Sequence, residues 1–257
     1  MNGIAAPPYL TQAAREDWDL LAAPAEDTGV FEPEQAAHLP EPARRWLLHA
    51  IAPGTPLRRA VQLAMHGTIR LGSWRPFEAV QVIAPLNGYV WAATTRLAGL
   101  SVRGFDRYRS RRGEMRWRLI GTIPMMSVTG ADVTRSAAGR LACEFVMAPA
   151  TALDPRVQWK ALDESHALAR FAVDAEDFEV TLRVGPSGAL ETAMVSRWGN
   201  PDKSGYRPHI FGVECDREST FEGFTIPSSL RGGWWPGTER WADGEFIRLA
   251  IDRAIFR

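Results

Sequence analysis

Arg140 and Glu144 stand four residues apart in RLACEFVMAPATALDPRVQWKALD, residues 140–163, inside an apolar pattern of helical period. A carboxylate can move a proton, and a guanidinium beside it can hold that carboxylate ionised or stabilise developing negative charge. Two readings of the pair stand. On an exposed helix face it is a solvated ion pair worth roughly 0.3 kcal/mol. At the rim of the stripe formed by Val133, Ala137, Leu141 and Phe145 it faces the interior, with Arg140 orienting Glu144 there.

Asp106 is the second carboxylate of interest. In LSVRGFDRYRS it shares the even-numbered face with Leu100, Val102, Gly104 and Tyr108, while the odd face carries Arg103, Arg107 and Arg109. The basic face reads as the wet one. A charge on the apolar face needs a partner or changes its protonation. Asp106 is therefore either salt-bridged to an inward arginine such as Arg70, Arg96 or Arg197, or a free carboxylate of a pocket. Trp159 ends a strand on the same face as Asp163, and Asp163 reads as the cap of its own turn.

Other chemistries lack their residues. The histidines at 38, 49, 66, 166 and 209 show no metal-ligand spacing, and Cys143 and Cys215 form no cluster, so no metal is expected. Neither a glycine-rich phosphate loop nor a Gly-x-Ser-x-Gly elbow occurs, so the chain reads as cofactor-independent and without a serine nucleophile.

The elements that must position these residues follow from periodicity. HLPEPARRWLLHAI places Trp46, Leu47, Ala50 and Ile51 on one stripe, a helix over about 41–52. From Ala60 the period becomes two. Alternation recurs in GYVWAATTRL, LSVRGFDRY, GEMRWRLIG, FEVTLRV and later segments, mostly parted by short turns. About ten strands in hairpin order, with a second helix over 131–147, predict a mainly β fold. That fold is a curled antiparallel sheet, half-barrel or calycin-like, with two or three covering helices. Residues 1–37 read as an N-terminal extension with a short helix near Trp18–Ala22, and 38–257 as a single ligand-cup domain.

Thirty basic and thirty acidic side chains leave no net field to attract nucleic acid. No window approaches the roughly 18 apolar residues of a membrane span, and the N-terminus lacks the pattern of a secretory signal, so a cytoplasmic location is expected. Ten tryptophans suit a pocket for an apolar molecule. Among them Trp91 and Trp159 lie on strands, and Trp234, Trp235 and Trp241 form a loop that reads either as a plug on the sheet edge or as a lid.

Taken in order, LPEPARRWL, GTIRLGSWRPFEAVQ, GYVWAATTRL, GFDRYRSRRGEMRWRLIG, GRLACEFVMAPATAL, VQWKALD and FEGFTIPSSLRGGWW resemble a bacterial family known only as a domain of unknown function. The resemblance runs from about His38 to the C-terminus. Arg140, Leu141, Glu144 and Pro149 match its helix motif, but Leu141 directly follows Arg140 where the family has an aromatic residue between them, and Met147 departs from the aromatic residue usual there. The architecture is also similar to the curved sheet of lipoprotein carriers and of a cofactor-free enzyme of indole-pigment biosynthesis. That similarity implies a cup for an apolar ligand, and it assigns no catalytic residue.

Two functions follow. In the first, the protein is a cofactor-independent enzyme that isomerises, cyclises, dehydrates or hydrolyses a hydrophobic small molecule. Glu144 and Asp106 then move protons, Arg140 and Arg197 stabilise charge, and Trp91, Tyr108, Trp159 and Trp235 shape the pocket. In the alternative it is a non-catalytic carrier or binding protein for a lipid or other apolar ligand.

Overall fold

The computed structural model describes residues 3–24 and 29–257; residues 1–2 and 25–28 of the expected N-terminal extension lie outside the described residues. Two helices precede the sheet. Helix α1 (Gln12–Leu21) begins where the Thr11 hydroxyl accepts the Ala14 N–H, and it buries Ala14, Trp18 and Leu21 at i, i+4 and i+7. It therefore starts well before the short helix expected around Trp18. Helix α2 (Glu41–Ala50) has Pro42 in its first turn and buries Ala43, Trp46, Leu47 and Ala50.

Thirteen strands make one curled, unclosed antiparallel sheet. They are β1 (Val61–Leu71), β2 (Ser73–Ala84), β3 (Gly88–Leu97), β4 (Leu100–Arg109), β5 (Arg112–Leu119), β6 (Ile123–Thr129), β7 (Gln158–Ala161), β8 (His166–Val173), β9 (Glu176–Val184), β10 (Leu190–Gly199), β11 (Arg207–Phe221), β12 (Phe224–Trp234) and β13 (Glu245–Phe256). The expected count of about ten is too low. Pro76 in β2 and Pro124 in β6 mask the strand pattern: Pro76 lies near the start of its strand and Pro124 on an edge, where a missing N–H is tolerated. β7 is only four residues long.

The hydrogen-bonded order is β6-β5-β4-β3-β2-β1-β13-β12-β11-β10-β9-β8-β7. Because β1 pairs with β13 in the middle, the edges are β6 and β7, which are consecutive in the chain. The segment joining them has to cross from one edge to the other. It does so as α3 (Ala131–Cys143), followed by two 3-10 turns, Glu144–Met147 and Pro149–Leu153, with α3 lying on β10 and β5. The single helix expected over 131–147 is thus shorter. Its last turn tightens to 3-10, and Ala148, restricted by Pro149, leaves the helical region at φ −128° and ψ 77°.

Both faces of the sheet are covered over β2–β4. Phe77, Ala79, Ile83, Tyr89 and Trp91 point into the concave core under α3, while Val82, Ala84, Val90, Ala92 and Phe105 point outward under α1. Strand β3 is consequently buried almost continuously rather than alternately. The odd-numbered face of β4 is not uniformly wet either, since Phe105 and Arg107 are roofed by α1.

Candidate functional site

Strand register assembles one half of the site. Leu63 faces Gln81, Gln81 faces Trp91, Trp91 faces Asp106 and Asp106 faces Met115, one cross-strand row on the concave side of five adjacent strands. Two residues along, Gly104 faces Trp117, and a Cβ on Gly104 would come within 2.3 Å of that indole. The missing side chain lets Trp117 lie over β4, so that its Nε1 donates to Asp106 Oδ1 at 3.3 Å.

Helix α3 supplies the other half. Gly139 lets it approach β10, since a Cβ there would meet Arg197 Cγ at 3.0 Å and Arg197 Cβ at 3.3 Å. One residue on, Arg140 donates from Nε to Glu144 Oε1 at 2.8 Å and from Nη1 to Asp106 Oδ2 at 3.3 Å. Its guanidinium lies over the rings of Tyr89 and Trp91, at 4.6 and 5.3 Å from their centroids. Glu144 also accepts from Gln81 Nε2 at 2.8 Å. Each carboxylate therefore holds two N–H donors.

Electrostatics follow from burial and pairing. Burial raises Asp106 above the usual carboxylate range, against the opposing effects of Arg140 and Trp117. Burial alone would lower Arg140, but Glu144, Tyr89 and Asp106 outweigh it and hold the guanidinium above its ordinary value. Burial also drives the Tyr89 hydroxyl and the Cys143 thiol upward, which keeps both protonated and the thiol unreactive.

Beside this cluster lies a cavity of about 170 Å³. Its walls include Leu63, Met65 and Ile83 on one side and Val213, Phe246 and Leu249 on the other, with Asp106, Arg140, Glu144 and Arg197 at its polar margin. A wider depression beside Leu86, Asp174 and Arg257, about 580 Å³, is more open to solvent and holds none of these groups. Among the described residues no three His, Cys, Asp or Glu side chains are grouped to hold a metal ion, and no helix is long and apolar enough to cross a membrane.

Residues 29–246 match a family of unknown function, DUF6544. The chain belongs to that family. No curated protein matches this DUF6544 member. Among solved structures it is similar to a LolA superfamily protein from Nitrosomonas europaea, at 11% identity and a TM-score of 0.41, over 84% of this chain and 93% of that one. It is also similar to a putative outer membrane lipoprotein-sorting protein domain from Vibrio parahaemolyticus, at 10% identity and a TM-score of 0.38, over 86% of this chain and 93% of that one. Likeness at this level says nothing about ligand or activity.

In this DUF6544 protein Arg140, Glu144, Asp106, Trp91 and Arg197 meet at one cavity. Four other residues named from the sequence do not join them. Tyr108 is on the concave side but bonds Asp174 Oδ2 at 2.6 Å, tying down the β4–β5 turn. Trp159 packs against Trp46 and Phe145, each ring 6.1 Å away, and donates to the Ala152 carbonyl. At Trp235 a φ of 60° turns the chain, and the ring sits under Arg240 instead of over the cup. Asp163 caps its own turn through the Ser165 and His166 N–H groups, both at 2.8 Å. Gln81 and Trp117 were not singled out. Gln81 interrupts the inward row Phe77, Ala79, Ile83, which is a readable signal; Trp117 needed the register that sets it against Gly104.

Proposed function

We propose that the protein binds a hydrophobic small molecule in the cup beneath α3, as a carrier or binding protein rather than as an acid–base enzyme. The observation that carries this reading is the cavity: about 170 Å³ left open between large apolar side chains in the middle of a packed core. Protein interiors normally close such spaces, and an apolar cavity of roughly 150 Å³ is enough to take up benzene. Removing about 100 Å² of a ligand's apolar surface from water there contributes roughly 2.5 kcal/mol.

The polar margin supports binding better than proton transfer. Asp106 and Glu144 each accept two N–H bonds, and Arg140 spends itself on both of them. A base so engaged has to break a charge-assisted bond before it can take a proton. The test is a titration with 1-octanol, an uncharged chain, followed by calorimetry. A saturable change that is lost in Val213→Phe, which fills the cavity, supports the reading; an identical unsaturable response in both proteins would sink it.

A further inference from the structure

Arg197 differs from every other charged group at the cavity. Its Nε donates to the Ser136 carbonyl at 2.9 Å, the one hydrogen bond of the side chain among the described residues. Among the described residues no carboxylate lies within 4.0 Å of it. Nη1 and Nη2 therefore have no protein acceptor among the described residues, and the side chain lines the cavity wall. The group is also held still. Its Cζ sits 4.4 Å from the centre of the Phe211 ring and 5.1 Å from that of Trp234, and Gly139 of α3 presses against its Cβ and Cγ.

Pairing elsewhere in the cluster is complete. Arg140 is bound to both nearby carboxylates, so neither Asp106 nor Glu144 is left over for Arg197. A half-buried cation without a counterion is costly, and burial pushes Arg197 down to about 10, still protonated near neutral pH. An arriving anion would relieve that cost. The two unbonded nitrogens lie on the end of the guanidinium fork, the edge that receives the two oxygens of a carboxylate in parallel.

We propose that the ligand is a carboxylate-bearing amphiphile, one aromatic ring or short alkyl chain in the cavity and its carboxylate on the Nη1 and Nη2 of Arg197. This rests on the reading of the cup as a hydrophobic binding site and specifies its ligand class. The size follows from the volume. About 170 Å³ is close to the space that admits a single benzene, so several long acyl chains do not fit the cup as it stands.

Octanoate and 1-octanol share a chain and differ in charge, which separates the two readings. Their dissociation constants are measured by calorimetry near neutral pH on the natural chain, Arg197→Met and Arg197→Lys, each checked for fold by circular dichroism. Octanoate is expected to bind at least about ten-fold tighter than octanol to the natural chain, the preference falling to about one-fold in Arg197→Met and surviving in part in Arg197→Lys. Equal affinities in the natural chain, or a preference that persists in folded Arg197→Met, would overturn the carboxylate assignment and leave the hydrophobic cup intact. Binding of neither compound overturns both. Should Arg197→Met fail to fold, the ratio in the natural chain together with Arg197→Lys still decides.

Discussion

The sheet carries a mostly buried arginine–carboxylate cluster on each face, and among the described residues only the concave one borders a cavity walled by apolar core side chains, the convex one reaching an open surface depression through Arg109. On the convex side Arg107 bridges Asp17 of α1 and Glu114 of β5, with Arg116 also on Glu114 at 2.9 Å. On the concave side Arg140 bridges Glu144 and Asp106. Side-chain exposures are alike, 12% for Arg107 and 15% for Arg140, so burial does not separate the two. Around the convex cluster Trp18, Ala14 and Phe105 pack closely; the concave cluster adjoins open space and a second arginine without a carboxylate. Ion pairs of this kind dock a helix on a sheet. What marks a ligand site is the space, and the charge that remains unmatched beside it.

The largest expected effect tests the shared half of that contrast. Arg140→Met strands two mostly buried carboxylates and should lose about 3 kcal/mol in urea denaturation, whereas Arg107→Met should lose less, because Arg109 still reaches Asp17 and Arg116 still holds Glu114. Octanol affinity should be unchanged in Arg107→Met, because that cluster does not touch the cup. An Arg140→Met no more severe than Arg107→Met would show that the concave pair contributes little to docking.

Acid titration comes next in size. Asp154 is held below the usual carboxylate range, first by the Arg156 side chain and then by the Arg156 N–H and Arg59. A lowered folded value stabilises the protein above the unfolded pKa, and that gain disappears as pH falls through the folded one. Asp154→Asn should therefore cost about 2 kcal/mol near neutrality, and nothing once both states are protonated. Asp106 has the opposite sign. Its raised value makes its contribution greatest below the unfolded pKa and lost as pH rises through the folded pKa, so Asp106→Asn should gain on the natural chain over that rise in melts run at several pH values.

Filling the cup is a smaller change to the fold and a decisive one for binding. Val213→Phe should weaken octanol at least about ten-fold while altering stability by roughly 1 kcal/mol, measured by titration and melting of one sample. Glu144→Gln should do least. The amide oxygen still accepts from Arg140, so a stability change of about 1 kcal/mol or less and unaltered octanol affinity are expected.

Period-two alternation already placed Asp106 on the inward face and helical spacing paired Arg140 with Glu144, because both are local patterns. The partner of Asp106 was not legible. Arg140 lies 34 positions away, and the two meet only because the chain between β6 and β7 must return across the concave face. Trp235 was misdirected for a different reason: its neighbour Trp234 faces Arg197, and a single left-handed residue separates their orientations. The convex core under α1 was hidden in a segment whose Ala- and Pro-rich composition resembles linker, although Ala14, Trp18 and Leu21 keep helical spacing.

The passage of α3 between the two edges also has a mechanical meaning. β6 and β7 are not bonded to each other, so the opening between them is spanned by one continuous stretch of chain, as a bowstring spans a bow. The depth of the cup and the length of that chord are one variable. A guest larger than the present space has to lengthen the chord by unwinding its 3-10 turns, or lift it off Arg197 and break its bonds to the floor. On the proposed reading of the cup as a binding site, the strap limits the size of a guest as much as the walls beneath it.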